Sequence, residues 1–557
     1  MKNILSIVLL TFFSLIAVAQ NNYYVSKSGN NSNNGSINSP FLNIQNALWA
    51  ATAGDNIFVK SGSYAEKLWW TNSGTPDNPI TLSNYNNEDV TISGTNASNA
   101  SQGALILISS KSHIRINGII FADNIMNYAD GINVTGSGTD IEITNCEFKN
   151  IGWTSSKTTM PTSSNSAHAI IFIGTNASSY NNILISENYI HDCITGYSES
   201  LTMAGNIESF IIEKNTLNFN TNIGIDAAGH FSWTGAPANV NYSRNGIIRN
   251  NIVSDFDGPA ALDAAGGIYI DGGSFITVEN NTVFNYSVGF SVGCEVPGKS
   301  NEGNIIQNNV AYNCDLSGLF LGSNTTSLVN DTKVYNNTFY KCGTGTYDNG
   351  QIALLNNADS DIKNNIMYPA NGNYAMIQFN GTISTNKSIN YNLFRRDNSI
   401  TTNFFYGVSG AQNSILTDPL FVDATIYDFH LKSSSPAINA GDPSYIPAAN
   451  IFDIDGEARL IGAIVDIGVD EYNTTLGASN FQENEISLFP NPTKGNISIQ
   501  NISNYNYKIY NLSGQVINAS KFGVNSIDIS SQKQGVYILK LINKTTLQEY
   551  HTKIIKQ

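Results

Sequence analysis

The chain has 557 residues, 28 Lys+Arg against 43 Asp+Glu, and a formal net charge of −15, with charged residues making up only 13%. That length exceeds one ordinary globular core and calls for two or more units. The absence of a basic stripe excludes nucleic acid as a partner, and the acidity fits an exported protein able to hold Ca²⁺.

Lys2, the apolar run "ILSIVLLTFFSLIAV" and the small-residue site Ala17-Val18-Ala19 have the order of a secretory signal peptide, so residues 1–19 are set aside. No later segment reaches the roughly 18 to 20 apolar residues of a membrane span. The expected product is exported, without a transmembrane segment, and monomeric. Further along, "SPFLNIQNALWAA" (Ser39 to Ala51) predicts a short helix, with Ser39 as its cap and Pro40 at its first position.

Internal repetition dominates the central region. The segments "ITNCEF", "ISENYI", "IEKNTL", "IRNNIV", "VENNTV", "IQNNVA", "VYNNTF", "IKNNIM" and "INYNLF" align on Cys146, Asn188, Asn215, Asn251, Asn281, Asn309, Asn337, Asn365 and Asn392. Their spacings are 42, 27, 36, 30, 28, 28, 28 and 27 residues. Each unit holds short alternating β-branched runs broken by Asn and Gly, and none reads as a long amphipathic helix. Such a unit cannot bury its apolar face alone, whereas stacked units share one core. The repeating Asn suits a turn, where it tolerates left-handed backbone and its amide reaches the same residue one coil away. Five cysteines (Cys146, Cys193, Cys294, Cys314 and Cys342) form no metal-binding spacing and read as buried thiols, with one bridge left open.

This pattern resembles the right-handed parallel β-helix of pectate lyases and other polysaccharide-active proteins over roughly residues 22–440. The opening "YYVSKSGNNSNNGSINSPFLNIQNAL" and "AGDNIFVKSGSY" resembles the capped first coil of secreted β-helix enzymes. The segments "SPAINAG" and "DIGVDEY" resemble the closing segment of bacterial β-helix proteins. Fold class is therefore expected to be all-β, a parallel β-helix over 20–472, and the resemblance implies a polysaccharide substrate.

Catalytic groups on such a solenoid are sought where insertions break the period. The 36-residue interval carries "GIDAAGHFSWTGAPANVNYSRNG", and the strand after Asn281 ends in "GCEVPGKSNEGN". Aligning "GIYIDGG" on Gly267 and "GFSVGCE" on Gly289 places Asp271 four residues past its glycine and Glu295 six past its own. An even difference puts both on one face, one coil apart, with Cα atoms about 8 Å from each other. Carboxyl groups so placed span the range of retaining and inverting glycosidases. Asp271 then suits the nucleophile or base and Glu295 the acid. Around them, Asp226, His230, Trp233, Arg244, Asp263, Tyr269 and Lys299 are the expected substrate-binding residues.

Each acid also has a plainer reading, since Asp271 precedes Gly-Gly, a turn signal, and Glu295 opens a loop. Asp255 and Asp257 offer hard oxygen ligands for Ca²⁺. Hydrolysis of a glycosidic bond is the favoured reaction and needs no cofactor. The alternatives are polysaccharide lyase action, with Ca²⁺, and non-catalytic glycan binding. The lysine base expected of one lyase family, in a strand resembling "GFKLGG", has no counterpart: the strands here read "GIYIDGG" and "GLFLGSN".

After Tyr472 the composition changes. Residues 473–485 read as a linker, and 486–557 as alternating strands of a small β-sandwich. "LFPNPTKG" (Leu488 to Gly495) and the terminal "KIIK" closely resemble the C-terminal sorting domain of the type IX secretion system of the Bacteroidetes. The resemblance implies passage through that machinery to the medium or the cell surface.

Overall fold

The computed structural model describes residues 20–259, 266–323, 326–344, 350–370, 373–379, 384–385, 387–395, 404–473, 488–489, 493–499, 505–511, 516–520, 526–530, 532–543 and 549–556. The expected signal peptide, nearly all of the expected linker and Asp263 lie outside them. Two compact units divide the chain, Met1–Tyr472 and Asn473–Gln557. No helix among the described residues is long and apolar enough to cross a membrane.

In the first unit, three parallel sheets of 14, 12 and 12 strands run the length of a β-helix, and each full coil contributes one strand to each sheet. Register stacks like on like. One inward column runs from Ile57 through Leu82, Ile116 and Ile143 to Ile362 and Ile389, aliphatic and buried at each of these coils. β-Branched side chains fill such a column because they fit the pleat against identical neighbours. Phe121 and Phe148 stack on adjacent coils with centroids 4.8 Å apart.

The Asn-Asn turns divide their labour between the two residues. The first of each pair is left-handed, as at Asn250, Asn280, Asn308, Asn336 and Asn364 (φ 54° to 60°). The second, the residue of the repeat, is not left-handed and turns its amide into the coil stack. The Oδ1 of Asn309 accepts from the backbone N–H and the Nδ2 of Asn281, at 2.9 and 3.0 Å, and the same exchange links Asn188 to Asn392. Cys146 begins the row and only donates, its N–H going to Asn188. The left-handed residues point outward and hold the closing segment: Asn280 donates to the carbonyl of Asp453, Asn336 to that of Asp466, and Asn364 accepts from the Asp442 N–H. Thus "SPAINAG" and "DIGVDEY" sit over the turn ladder, and all five cysteines are buried and free.

The N-terminal helix starts later than the sequence predicts, at Ile44–Ala50. Phe41 is engaged as a strand partner, bridging to Val25 with its N–H on the Tyr24 carbonyl, which keeps Ser39 and Pro40 out of the helix. The helix cap comes instead from Glu66, whose carboxylate accepts from the N–H groups of Ile44 and Gln45 at 3.1 and 3.2 Å. In the second unit, antiparallel sheets of three and four strands share a core that includes Ile497, Ile527, Ile509, Leu539 and Ile554. That is the small β-sandwich expected.

Candidate active site

Six neighbouring strands of one 12-stranded sheet carry the site: β1 (Ala129–Gly136), β2 (Ala167–Gly174), β3 (Leu201–Gly205), β4 (Ile225–Ala228), β5 (Gly266–Asp271) and β6 (Val288–Gly293). Alternate residues of these strands, such as Ile225, Ala227, Ile268, Ile270, Phe290 and Val292, fill the core. The residues between them therefore face outward. Register then makes a polar row across the coils. Asp130 stands opposite His168, Thr202 opposite Asp226, Asp226 opposite Tyr269, and Asp271 opposite Gly293. Glu295 lies two residues past Gly293, and its N–H donates to Asp271 Oδ1 at 2.8 Å.

Gly293 leaves room for the phenol. A Cβ at this position would meet Tyr269 Oη at 2.8 Å, closer than side-chain carbons pack. Gly293→Ala is expected to displace the Tyr269 hydroxyl and lower kcat about 10- to 100-fold while the coil remains folded, because a misplaced catalytic contact costs that order. An unchanged kcat in the variant would remove Tyr269 from the site.

A cavity of about 790 Å³ opens over this row. Five acids line it, Asp130, Glu199, Asp226, Asp271 and Glu295, together with His168 and Tyr269, and among the described residues no Lys or Arg lines it. The insertion "GHFSWTGAPANVNY" forms one wall. His230 N–H donates to the Asn241 carbonyl and Thr234 Oγ1 to Asn241 Oδ1, closing a loop that brings Phe231 and Trp233 to the cavity. Trp233 is 57% exposed, as a ring waiting to stack on a ligand would be.

Of the residues expected from the sequence, Asp226, Trp233, Tyr269, Asp271 and Glu295 meet in this cavity. Three do not line it. Arg244 binds Glu208 at 2.8 Å and Asn206 at 3.0 Å on the neighbouring sheet. His230 Nε2 is 3.2 Å from the Ser300 carbonyl, and its ring stacks on Tyr242. Lys299 lies in the turn after Glu295, its N–H on the Val296 carbonyl. Conversely, Asp130, His168 and Glu199 line the cavity without a motif of their own in the sequence. Of the three, only His168 lies within the 42-residue interval from Cys146 to Asn188, the widest in the repeat. That interval carries the insertion that brings Ser163 and Ser166 to the cavity.

Burial sets the charge state here. Asp226 is 3% exposed, and its Oδ1 has no hydrogen-bond partner. Burial, then the charges of Glu199, Asp271 and Glu295, push its pKa well above the usual carboxylate range. Burial and then Glu295 do the same to Asp271, while the Glu295 N–H and the Tyr269 phenol pull back. Glu295, whose side chain is exposed at the cavity mouth, is raised less, by partial desolvation and then Glu199, with the Tyr269 phenol opposing. Groups this close in a poor solvent do not all ionise, so protons are retained among them.

This has a consequence for stability at Asp226. A raised folded-state pKa means that the native state binds the proton longer, so stability falls as pH rises from the ordinary value near 3.9 toward the folded value, by about 1.4 kcal/mol per pH unit. Asp226→Asn removes that loss. Its Tm is expected to exceed the parent's at pH 7, with a smaller difference at pH 4, in thermal unfolding followed at both. A variant no more stable at pH 7 would contradict the buried, proton-retaining state.

Among the His, Cys, Asp and Glu side chains of the described residues, His430, Asp455 and Asp470 of the closing segment bring three ligand atoms within 4.8 Å of one another. Asp257 is held by Lys157 at 2.6 Å, and Asp255 accepts from Asn285 and Ser254.

Comparison with known proteins agrees with the architecture. Residues 23–211 match the family described as "Pel9A-like, right handed beta helix region", and residues 487–557 match the secretion system C-terminal sorting domain, which marks the protein for the cell surface or the medium. Uncharacterized protein YwoF of Bacillus subtilis is 31% identical over 440 residues, 74% of this chain and 91% of its own length. Pectate lyase PEL9 of Emericella nidulans is 38% identical over 80 residues, 14% of this chain and 20% of that protein. The crystal structure of pectate lyase Pel9A aligns with a TM-score of 0.38 at 14% identity, over 82% of this chain and 98% of that one. With YwoF matched over nearly its whole length, the chain belongs to the same family as that protein, and it carries a Pel9A-like right-handed β-helix region and a secretion sorting domain.

Proposed function

We propose that the cavity hydrolyses glycosidic bonds of a neutral polysaccharide outside the cell. The observation that carries this reading is a cavity lined by five carboxylic side chains and, among the described residues, no Lys or Arg. Glycoside hydrolysis needs one carboxyl protonated and one ionised beside the scissile bond, and close acids in unlike surroundings supply that split. Asp271, the more buried and more strongly raised of the pair, is assigned the proton and protonates the leaving oxygen. Glu295 is assigned the charge and attacks the anomeric carbon or activates water. This reverses the roles expected from sequence, because burial outweighs the flanking glycines. Trp233 offers a stacking face, and Tyr269 a hydroxyl between the two acids.

A uronate fits this cavity poorly. Its carboxylate would meet five acids and, among the described residues, no Lys or Arg to neutralise it. Lyase action is the second reading, favoured by His168, a base-capable side chain in the cavity, and by the activity in the name of the PEL9 relative. Digestion of xylans, pectins, alginate and carrageenans, followed for reducing ends and ultraviolet absorbance together, separates the two. The expected result is new reducing ends without unsaturated product on a neutral glycan. Unsaturated product from pectin or alginate would overturn the reading.

A further inference from the structure

Asp130, His168 and Glu199 form a chain that leads into the row of acids from its far end. Asp130 and His168 are register partners on β1 and β2, with Asp130 Oδ1 2.9 Å from His168 Nδ1. The second Asp130 oxygen accepts from Asn133 Nδ2 at 2.8 Å, so the carboxylate is fixed at both ends. This contact leaves Nε2 as the other end of the ring, and it lies 3.8 Å from Glu199 Oε2. The same Glu199 oxygen accepts from Thr202 Oγ1 at 2.9 Å. Thr202 stands directly opposite Asp226, one coil along. Glu199 is thereby placed beside the buried Asp226, whose Oδ1 is unpartnered. Asp130, Asn133, His168, Glu199, Thr202 and Asp226 all line the one cavity.

We propose that Asp130 and His168 are a positioning dyad that holds Glu199 toward the substrate, making Glu199 the third carboxylate of the catalytic cavity and the one provided with its own counter-charge. This inference rests on the hydrolytic reading above for what Glu199 does, though not for where it is held. Burial opposes protonation of His168, but Asp130 and then Glu199 raise its pKa above the ordinary imidazole value. Burial holds Glu199 above the ordinary carboxylate value, and the His168 charge is the largest influence pulling it back toward ionisation. The charged or titratable groups facing His168 are Asp130 from the preceding coil and Glu199 from the following one, with Tyr128, Tyr197 and Asp226 farther along the walls. With a cation beside only one end of the row of acids, negative charge settles on Glu199 and the proton remains with Asp226 and Asp271. An ionised carboxylate beside a protonated one whose Oδ1 is free is suited to accept and donate to adjacent sugar hydroxyls, or to oppose positive charge developing at the anomeric carbon.

The test uses the full chain, labelled at its six histidines. The His168 resonance, assigned by its loss in His168→Gln, is expected to titrate above the exposed histidines. It should fall by about one pH unit or more in Glu199→Gln, the size of effect a carboxylate within a few ångströms exerts. In parallel, the acidic limb of the pH–rate profile should move upward by about one unit in His168→Gln, with activity recovering at higher pH. Thr202→Val, a shape-preserving change, should move the same limb by less. A His168 that titrates normally and ignores Glu199→Gln would overturn the proposal, as would activity falling equally at every pH in His168→Gln and Thr202→Val. The resonance measurement needs no substrate, so failure of the hydrolytic reading would leave the dyad to be judged separately.

Discussion

Asp271→Asn and Glu295→Gln are each expected to lower kcat about 10³-fold or more, roughly 4 kcal/mol of transition-state stabilisation. Both substitutions keep shape and hydrogen-bond length while removing the ability to exchange a proton or bear charge. Asp271→Asn retains an amide oxygen for the Glu295 N–H, now 2.8 Å from Asp271 Oδ1, so the turn after β6 should survive. Thermal unfolding should confirm that, with Tm unchanged or raised at pH 7, because burial and the neighbouring acid disfavour the charged form of Asp271. The double variant should be little worse than either single one, since the two groups act as a unit. Full activity in either single variant would dismiss the pair.

The second large effect concerns the scaffold. Asn309→Leu removes the oxygen that accepts from the N–H and Nδ2 of Asn281, and also the amide that donates to the Val278 carbonyl and to Asn337. The Asn281 N–H and the Val278 carbonyl on the preceding coil lose this partner, while Asn337 Oδ1 keeps the Asn309 N–H; at about 1 to 3 kcal/mol for each buried group, the expected loss is about 3 to 5 kcal/mol in denaturant unfolding. Ser in the adjacent left-handed position, Asn308→Ser, should cost less, about 1 kcal/mol, because only backbone preference is lost there. Equal effects at the two positions would refute the division of labour in the Asn-Asn turn. So would a mild Asn309→Leu.

This ladder explains why so much of the fold was legible. A period of 27 to 28 residues is a statement about stacking, and the recurring Asn is the group whose amide must meet its own copy. The leading glycines of "GIYIDGG" and "GFSVGCE" set the register correctly, since Ile268 pairs with Phe290 and Asp271 with Gly293. Less visible was which half of Asn-Asn is left-handed, because composition is the same for both. The start of the helix was also hidden, decided by the bridge from Phe41 to Val25 and by Glu66, partners distant in the chain.

The candidate site was legible only in part, for a related reason. Asp226, Tyr269, Asp271 and Glu295 lie in or beside conspicuous loops. Asp130, His168 and Glu199 are single polar residues at strand openings, and their proximity depends on coils separated by an insertion whose path no local pattern dictates. Arg244 and His230 looked equally able to act, yet the first is neutralised by Glu208 and the second is turned to a backbone carbonyl. Chemical capability in a sequence is local, whereas the direction of a side chain on a solenoid is set by the neighbouring coil.

The most direct measurement is cleavage of a neutral glycan in ¹⁸O-labelled water, with mass analysis of the products. Hydrolysis through Asp271 and Glu295 predicts one labelled oxygen for each bond broken, and cleavage by Asp271→Asn slowed about 10³-fold or more. Products that carry no label and gain a double bond, or labelled cleavage by Asp271→Asn at the parent's rate, would contradict hydrolysis through this pair.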